Sequence, residues 1–132
     1  MKSALVLFGH GARDPRWAEP FLNLQARLRA QSDGQLPVEL AFLELMSPGL
    51  SECVGKLAGQ GVTHVMVVPV FFGQGGHLRK DFPVLLEECR SAWPGVELTV
   101  SSPVGEWSSV LDAIVAGSLQ ALNQMSVITP NR

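Results

Sequence analysis

Cysteine is scarce in this 132-residue chain. Cys53 and Cys89 stand 36 residues apart, with neither a C-x-x-C zinc pattern nor the cysteine density of a small secreted scaffold. Both are expected to be reduced, partly buried thiols. No apolar stretch approaches the ~20 residues that cross a bilayer. The first residues, MKSALVLFGHG, hold an apolar run cut short by glycine and histidine, so they lack the apolar core and cleavage site of a signal peptide. A soluble cytoplasmic protein with no membrane partner is the expectation. An excess of one charge is missing too. The formal charge of −2 at pH 7 argues against bulk electrostatic binding of nucleic acid.

Several catalytic signatures are also lacking. Neither glycine loop spells G-x-G-x-x-G, and Gly73-Gln74-Gly75-Gly76 lacks the lysine–serine/threonine ending of a Walker loop. No serine–histidine–acid set is readable. The Arg-His-Gly of histidine phosphatases is absent, because Phe8-Gly9 precedes His10.

What is present is apolar chain, 46% of residues, in an amount that suits one compact domain burying roughly two thirds of its unfolded surface. The continuously apolar run at residues 4–8 reads as a strand covered on both faces, and the mostly apolar run 38–45, the Val-Met-Val-Val-bearing run 63–72 and residues 96–101 read as the further strands. Helical spacing follows each. From Pro15 it includes Trp17, Phe21, Leu24 and Leu28, and it stops at Asp33-Gly34. Ser47-Pro48 reads as an N-cap followed by proline at the first helical position, ahead of Leu50, Val54, Leu57 and Ala58. A third helix is expected from Leu78 or Asp81 to Ala92, carrying Phe82, Leu85, Leu86 and Cys89. A fourth is expected over residues 106–122, with Val110, Leu111, Ile114, Val115 and Leu119 at helical spacing. Residues 1–122 then form one α/β domain, and residues 123–132 are expected to be a frayed tail.

Strict strand–helix alternation implies a four-stranded parallel sheet with helices on both faces. In a flavodoxin-like order 2-1-3-4, strands one and three are neighbours whose helices leave toward opposite faces. That is the switch point where ligands bind beyond the carboxyl ends of the strands.

Two loops of the same design leave those two strands. LVLFGHGARDP, residues 5–15, and VMVVPVFFGQGGHLRKDFP, residues 65–83, each run from an apolar stretch through glycine to one histidine and then to basic residues. The topology thus brings together His10 and His77, 67 positions apart. Two neutral imidazoles with few other ligands would hold a divalent ion loosely, with open positions, whereas a structural site is closed by four protein ligands. Gly9, Gly11, Gly73, Gly75 and Gly76 make tight turns and can admit a large flat ligand to the backbone. Arg13, Arg79 and Lys80, with Arg16 nearby, stand near helix starts, where cations oppose the helix dipole, so an anionic partner would explain them. Asp14 and Asp81 are expected to cap or balance those starts. Glu44, at the end of the second strand, can be a base, a weak metal contact or a solvated acid. His64 lies at the opposite end of the third strand and reads as structural. Trp17 and Trp107 read as core or interface.

Gly9-His10-Gly11-Ala12-Arg13-Asp14-Pro15, Glu44-Leu45-Met46-Ser47-Pro48, Val68-Pro69-Val70-Phe71-Phe72 and Gly75-Gly76-His77-Leu78-Arg79-Lys80-Asp81-Phe82-Pro83 together resemble the short class II tetrapyrrole chelatases, the sirohydrochlorin cobaltochelatase and ferrochelatase family. The resemblance runs to about Leu122. It implies insertion of Co²⁺, Fe²⁺ or Ni²⁺ into sirohydrochlorin, with the metal as substrate and no permanently bound cofactor. It implies a homodimer too, because longer relatives join two such halves in one chain. Carried over by position, His10 and His77 bind the metal and accept protons, and Glu44 matches the acid of the E-L-x-x-P segment. Gly9, Gly11, Arg13, Gly75, Gly76, Arg79 and Lys80 would meet the substrate. Phe72-Gly73-Gln74 departs from the more apolar stretch of relatives. The rival readings are a non-catalytic tetrapyrrole or metal carrier and a flavodoxin-like nucleotide or phosphate binder.

Overall fold

A computed structural model describes residues 2–73 and 75–128, with backbone alone for Gly76, His77 and residues 126–128. Strand β1 (Ser3–Gly9) leads through a 3-10 turn (Pro15–Ala18) to helix α1 (Glu19–Gln31). Then come β2 (Val38–Phe42), α2 (Leu50–Gly59), β3 (His64–Pro69), α3 (Gly76–Ala92) and β4 (Glu97–Val100). A second 3-10 turn (Val104–Glu106) precedes α4 (Ser108–Ile128). All strand pairs are parallel and the order is β2-β1-β3-β4, so the chain is a single α/β domain with the expected switch point between β1 and β3. No helix of the described residues is long and apolar enough to cross a membrane.

Alternation along the strands divides the core. Ala4, Val6 and Phe8 of β1 join Val65 and Val67 of β3 beneath α2 and α3. Leu5 and Leu7 face the other way with Met66 and Val68, toward Leu28 of α1 and Trp107. Helix α3 adds Leu78, Phe82, Leu86 and Cys89 at helical spacing, and the Phe82 ring stacks on Phe8 at 5.1 Å. Helix α2 buries Leu50, Cys53, Val54 and Leu57. Both cysteines are free and buried, and removal from water pushes the Cys53 thiol up to about 12.

Several boundaries depart from the expected ones. Strand β2 ends at Phe42 rather than residue 45, because Leu45 turns the chain with φ 65°. Strand β3 ends at Pro69, well short of residue 72, consistent with a proline that has no N–H for a ladder. Ser47-Pro48 does not begin α2. That peptide is cis, Gly49 is the N-cap in extended conformation, and Leu50 is the first helical residue. Helix α3 begins at Gly76, earlier than expected, so His77 lies in its first turn rather than in a loop. Leu24 of α1 is exposed rather than seated with Phe21 and Leu28.

Helix α4 differs most. It continues past Leu122 to Ile128, into the segment expected to fray, while residues 129–132 lie outside the described ones. Its apolar stripe is not covered: every residue from 111 to 125 is exposed.

Candidate functional site

Backbone pairing sets the geometry of the rim. After β2 the chain keeps alongside the end of β1, with Leu43 N–H donating to Gly9 O at 2.9 Å and Glu44 N–H to His10 O at 3.2 Å. Gly11, at φ 96°, closes that approach, since a Cβ there would collide with the backbone carbonyl of Glu44. The result is a side-chain pair: His10 Nε2 lies 3.6 Å from Glu44 Oε1, with the two side chains 46% and 48% exposed. Glu44 is thus brought to His10 from beyond the end of β2.

The second motif arrives at the same edge. Val70 N–H donates to Phe8 O at 2.8 Å, which holds the exit of β3 beside the end of β1. Helix α3 then starts at Gly76, with Gly75 as its N-cap. The backbone of His77 therefore stands at the carboxyl edge with His10, while its side chain lies outside the described residues. Among the described residues no group of three His, Cys, Asp or Glu gathers to hold a metal ion. What is described is an open two-residue arrangement of His10 and Glu44.

The glycines do different work from that expected of some of them. Gly9 and Gly11 are buried. A Cβ on Gly9 would lie 2.7 Å from the Phe21 ring, so protein fills the space that its missing side chain leaves. These two glycines bind loop to loop and loop to helix rather than leaving backbone open to a ligand. Gly75 is open, with nothing within 4 Å of where its Cβ would be.

Arg13, Arg79 and Lys80 are exposed, and among the described residues none of them has an ion-pair partner. Arg16 differs: it pairs with Asp14 at 2.8 Å. Asp14 also accepts from the Arg16 N–H as the N-cap of the first 3-10 turn, and these bonds hold its carboxyl below the usual range. A cleft of about 730 Å³ runs along the β2 edge of the sheet between α1 and α2, lined by Arg13, Phe42, Leu45, Met46 and Lys56 among others but by neither His10 nor Glu44.

His64, at the far end of β3, shares a 2.9 Å hydrogen bond with Thr99, which fits a structural role. Trp17 packs at 4.9 Å against Phe21 with the rings tilted by 33°, and Trp107 donates to Ser102 O at 2.9 Å. Both rings are occupied with packing. Of two well-exposed apolar rim residues, Leu45 and Phe72, the sequence reading reached Phe72 only through the Phe72-Gly73-Gln74 departure and gave Leu45 no role. Their signal is a large hydrophobe three residues beyond a strand end. A leucine held at positive φ has no local sequence marker.

A parallel sheet of order β2-β1-β3-β4, with a histidine–acid pair and a basic helix start at its switch point, defines a doubly wound α/β domain. The CbiX family model matches residues 4–121, and the chain belongs to that family. The sirohydrochlorin cobaltochelatase of Sulfurisphaera tokodaii is 33% identical over 76% of this chain and 78% of its own length. The crystal structure of a CbiX protein from Marinobacter aquaeolei VT8 superposes with a TM-score of 0.81 at 32% identity, covering 96% of this chain and 99% of that one. The sirohydrochlorin ferrochelatase of Bacillus subtilis is 29% identical over 86% of this chain but 43% of its own. The chain therefore spans under half of that longer relative.

Proposed function

We propose that the protein inserts a divalent metal ion, Co²⁺, Fe²⁺ or Ni²⁺, into sirohydrochlorin. The observation that carries this reading is the half-exposed His10–Glu44 pair, 3.6 Å apart, on the sheet edge where α3 begins one residue before His77. Insertion converts M²⁺ and a macrocycle with two pyrrole N–H groups into the metallated ring and two released protons. The ion must therefore leave protein and water ligands for four ring nitrogens while a base takes protons. Neutral imidazole can ligate and accept a proton. His10 and His77 hold the ion and receive the protons, and Glu44 stabilises the imidazolium of His10 as it forms. The ion is a substrate, and no resident cofactor is required.

Sirohydrochlorin carries many carboxylates. Arg13, Arg79 and Lys80 orient them, Gly75 and Gly76 admit the ring edge, and Gly9 and Gly11 act by holding the His10 and Glu44 loops together. Relatives about twice as long support a homodimer as the working form. Buried free thiols suit a reducing cytoplasm.

His10→Ala and His77→Ala test the assignment. Each should slow the absorbance change of metal insertion at least ~100-fold, the scale of a lost acid–base group, with thermal unfolding unchanged. Unaltered insertion by both variants would sink the assignment. A wild-type protein that binds sirohydrochlorin without accelerating insertion would be a carrier instead.

A further inference from the structure

Two large apolar side chains stand in water on the rim, and nothing in their own chain explains them. Leu45 lies three residues beyond the end of β2 and Phe72 three residues beyond the end of β3, and they are 59% and 66% exposed. Leu45 also holds φ 65°, a left-handed backbone that glycine or asparagine adopts easily and leucine does not. Burial of the side chain would offset that strain, yet most of it stays in water. A strained, exposed leucine next to Glu44 marks a functional position rather than a packing one.

Phe72 is held in place as well. Gly105 N–H donates to Phe71 O at 3.2 Å, and a Cβ on Gly105 would collide with the Phe72 backbone. The preceding ring, Phe71, packs against Phe8 and Phe82, each at 6.4 Å, which leaves Phe72 outside the core. The order β2-β1-β3 places His10, one residue past the end of β1, between Leu45 and Phe72 along the carboxyl edge. Neighbouring strands lie about 4.8 Å apart, so the ends of β2 and β3 are roughly 10 Å from each other. The two hydrophobes therefore straddle the histidine.

A metal ion enters a tetrapyrrole through the flat face, because the four nitrogens converge on the centre of the ring. A ring that offers this face to an ion held at His10 must overhang the strand ends on either side. We infer that Leu45 and Phe72 bear that face, one on each side of His10 and under opposite pyrrole units, so that the ring centre lies over the ion. Their contact with the ring supplies the burial that each lacks within the chain. Leu45 and Arg13 also line the cleft along the β2 edge, so an acidic arm of the ring that passes Leu45 meets a cation. The inference rests on sirohydrochlorin as the ligand proposed above, and it assigns the residues that carry the ring rather than those that take its protons.

The test is a titration of the full chain with metal-free sirohydrochlorin, with no metal present. Leu45→Asn and Phe72→Ala should each weaken binding about tenfold, the scale of one large apolar contact. The loss should be the same at low and high salt, because the contact is uncharged. Leu45→Asn should resist urea at least as well as the wild type, since asparagine accepts a left-handed backbone. Affinity lost with stability kept is a result that a purely structural leucine would not give. Phe72→Trp should keep the affinity that Phe72→Ala loses, and in turnover KM should follow Kd with kcat within about twofold. Wild-type affinity in either Leu45→Asn or Phe72→Ala, or a loss of affinity matched by a loss of stability, overturns the inference and leaves metal insertion standing. A wild type that binds the ring without inserting metal ends the chelatase reading alone, and one that does not bind the ring ends both.

Discussion

Gly11 joins the two loops that make the site. Its φ of 96° is unfavourable for any side chain, and a Cβ would enter the Glu44 carbonyl. Gly34 separates the two effects, because its φ is 74° with nothing within 4 Å of where its Cβ would stand. Gly34→Ala should cost about 1 kcal/mol from the left-handed backbone alone. Gly11→Ala should cost about 3 kcal/mol or more in urea unfolding, because displacing the carbonyl adds to the strain, and it should slow metal insertion as His10 and Glu44 separate. Equal losses at the two positions would show that the packing against Glu44 carries nothing. The sequence made both histidines visible, since each follows an apolar run and a glycine. It did not disclose what Gly9 and Gly11 do, because a glycine that admits a ligand and one that admits another loop are the same letter. The pairing of Glu44 with His10 was also out of reach of local pattern, since it depends on two backbone bonds between residues 34 positions apart.

At the level of elements, helix α2 shows how much of a helix is held by one face. Leu57 is fully buried among β1, β3 and α3 residues, so Leu57→Ala should cost about 2–5 kcal/mol. Leu22, on the outer side of α1, is exposed, and Leu22→Ala should stay within about 0.5 kcal/mol. Chemical denaturation of both variants checks the contrast. A large loss at Leu22 would mean that this face of α1 is covered in solution. The elements and their order were legible because apolar runs and 3.6-residue spacing alternate without interruption. Their ends were not. Ser47-Pro48 carries the composition of a helix start, yet the cap is Gly49, and α3 begins at Gly76 behind Gly75, which offers no side-chain cap to announce it. The stripe on α4 was legible as apolar but its exposure was not, because periodicity reports which face is apolar and not what lies against it.

For the whole molecule, topology followed from four strand–helix units and the handedness of their crossovers, and the observed order β2-β1-β3-β4 agrees. Charge placement is a separate property of the whole chain, and it was readable only in part. The protein is net negative, −2 at pH 7, so its general field repels a polycarboxylate. Binding must then depend on local cations, and Arg13, Arg79 and Lys80 are exposed beside the site without ion-pair partners among the described residues. Each exposed contact is worth about 0.5 kcal/mol and weakens with salt, so losing all three should raise KM for sirohydrochlorin roughly tenfold. The screening length falls from about 30 Å at 0.01 M salt to about 3 Å at 1 M, and KM should rise over that range. His10 and His77, the groups proposed to accept protons and hold the metal, are left in place, so kcat should change by less than about twofold. Arg13→Gln combined with Arg79→Gln should raise KM at low salt and flatten its salt dependence, with kcat again preserved. A fall in kcat with KM unchanged would instead put these cations in the chemical step, and the view of them as carboxylate anchors would fail.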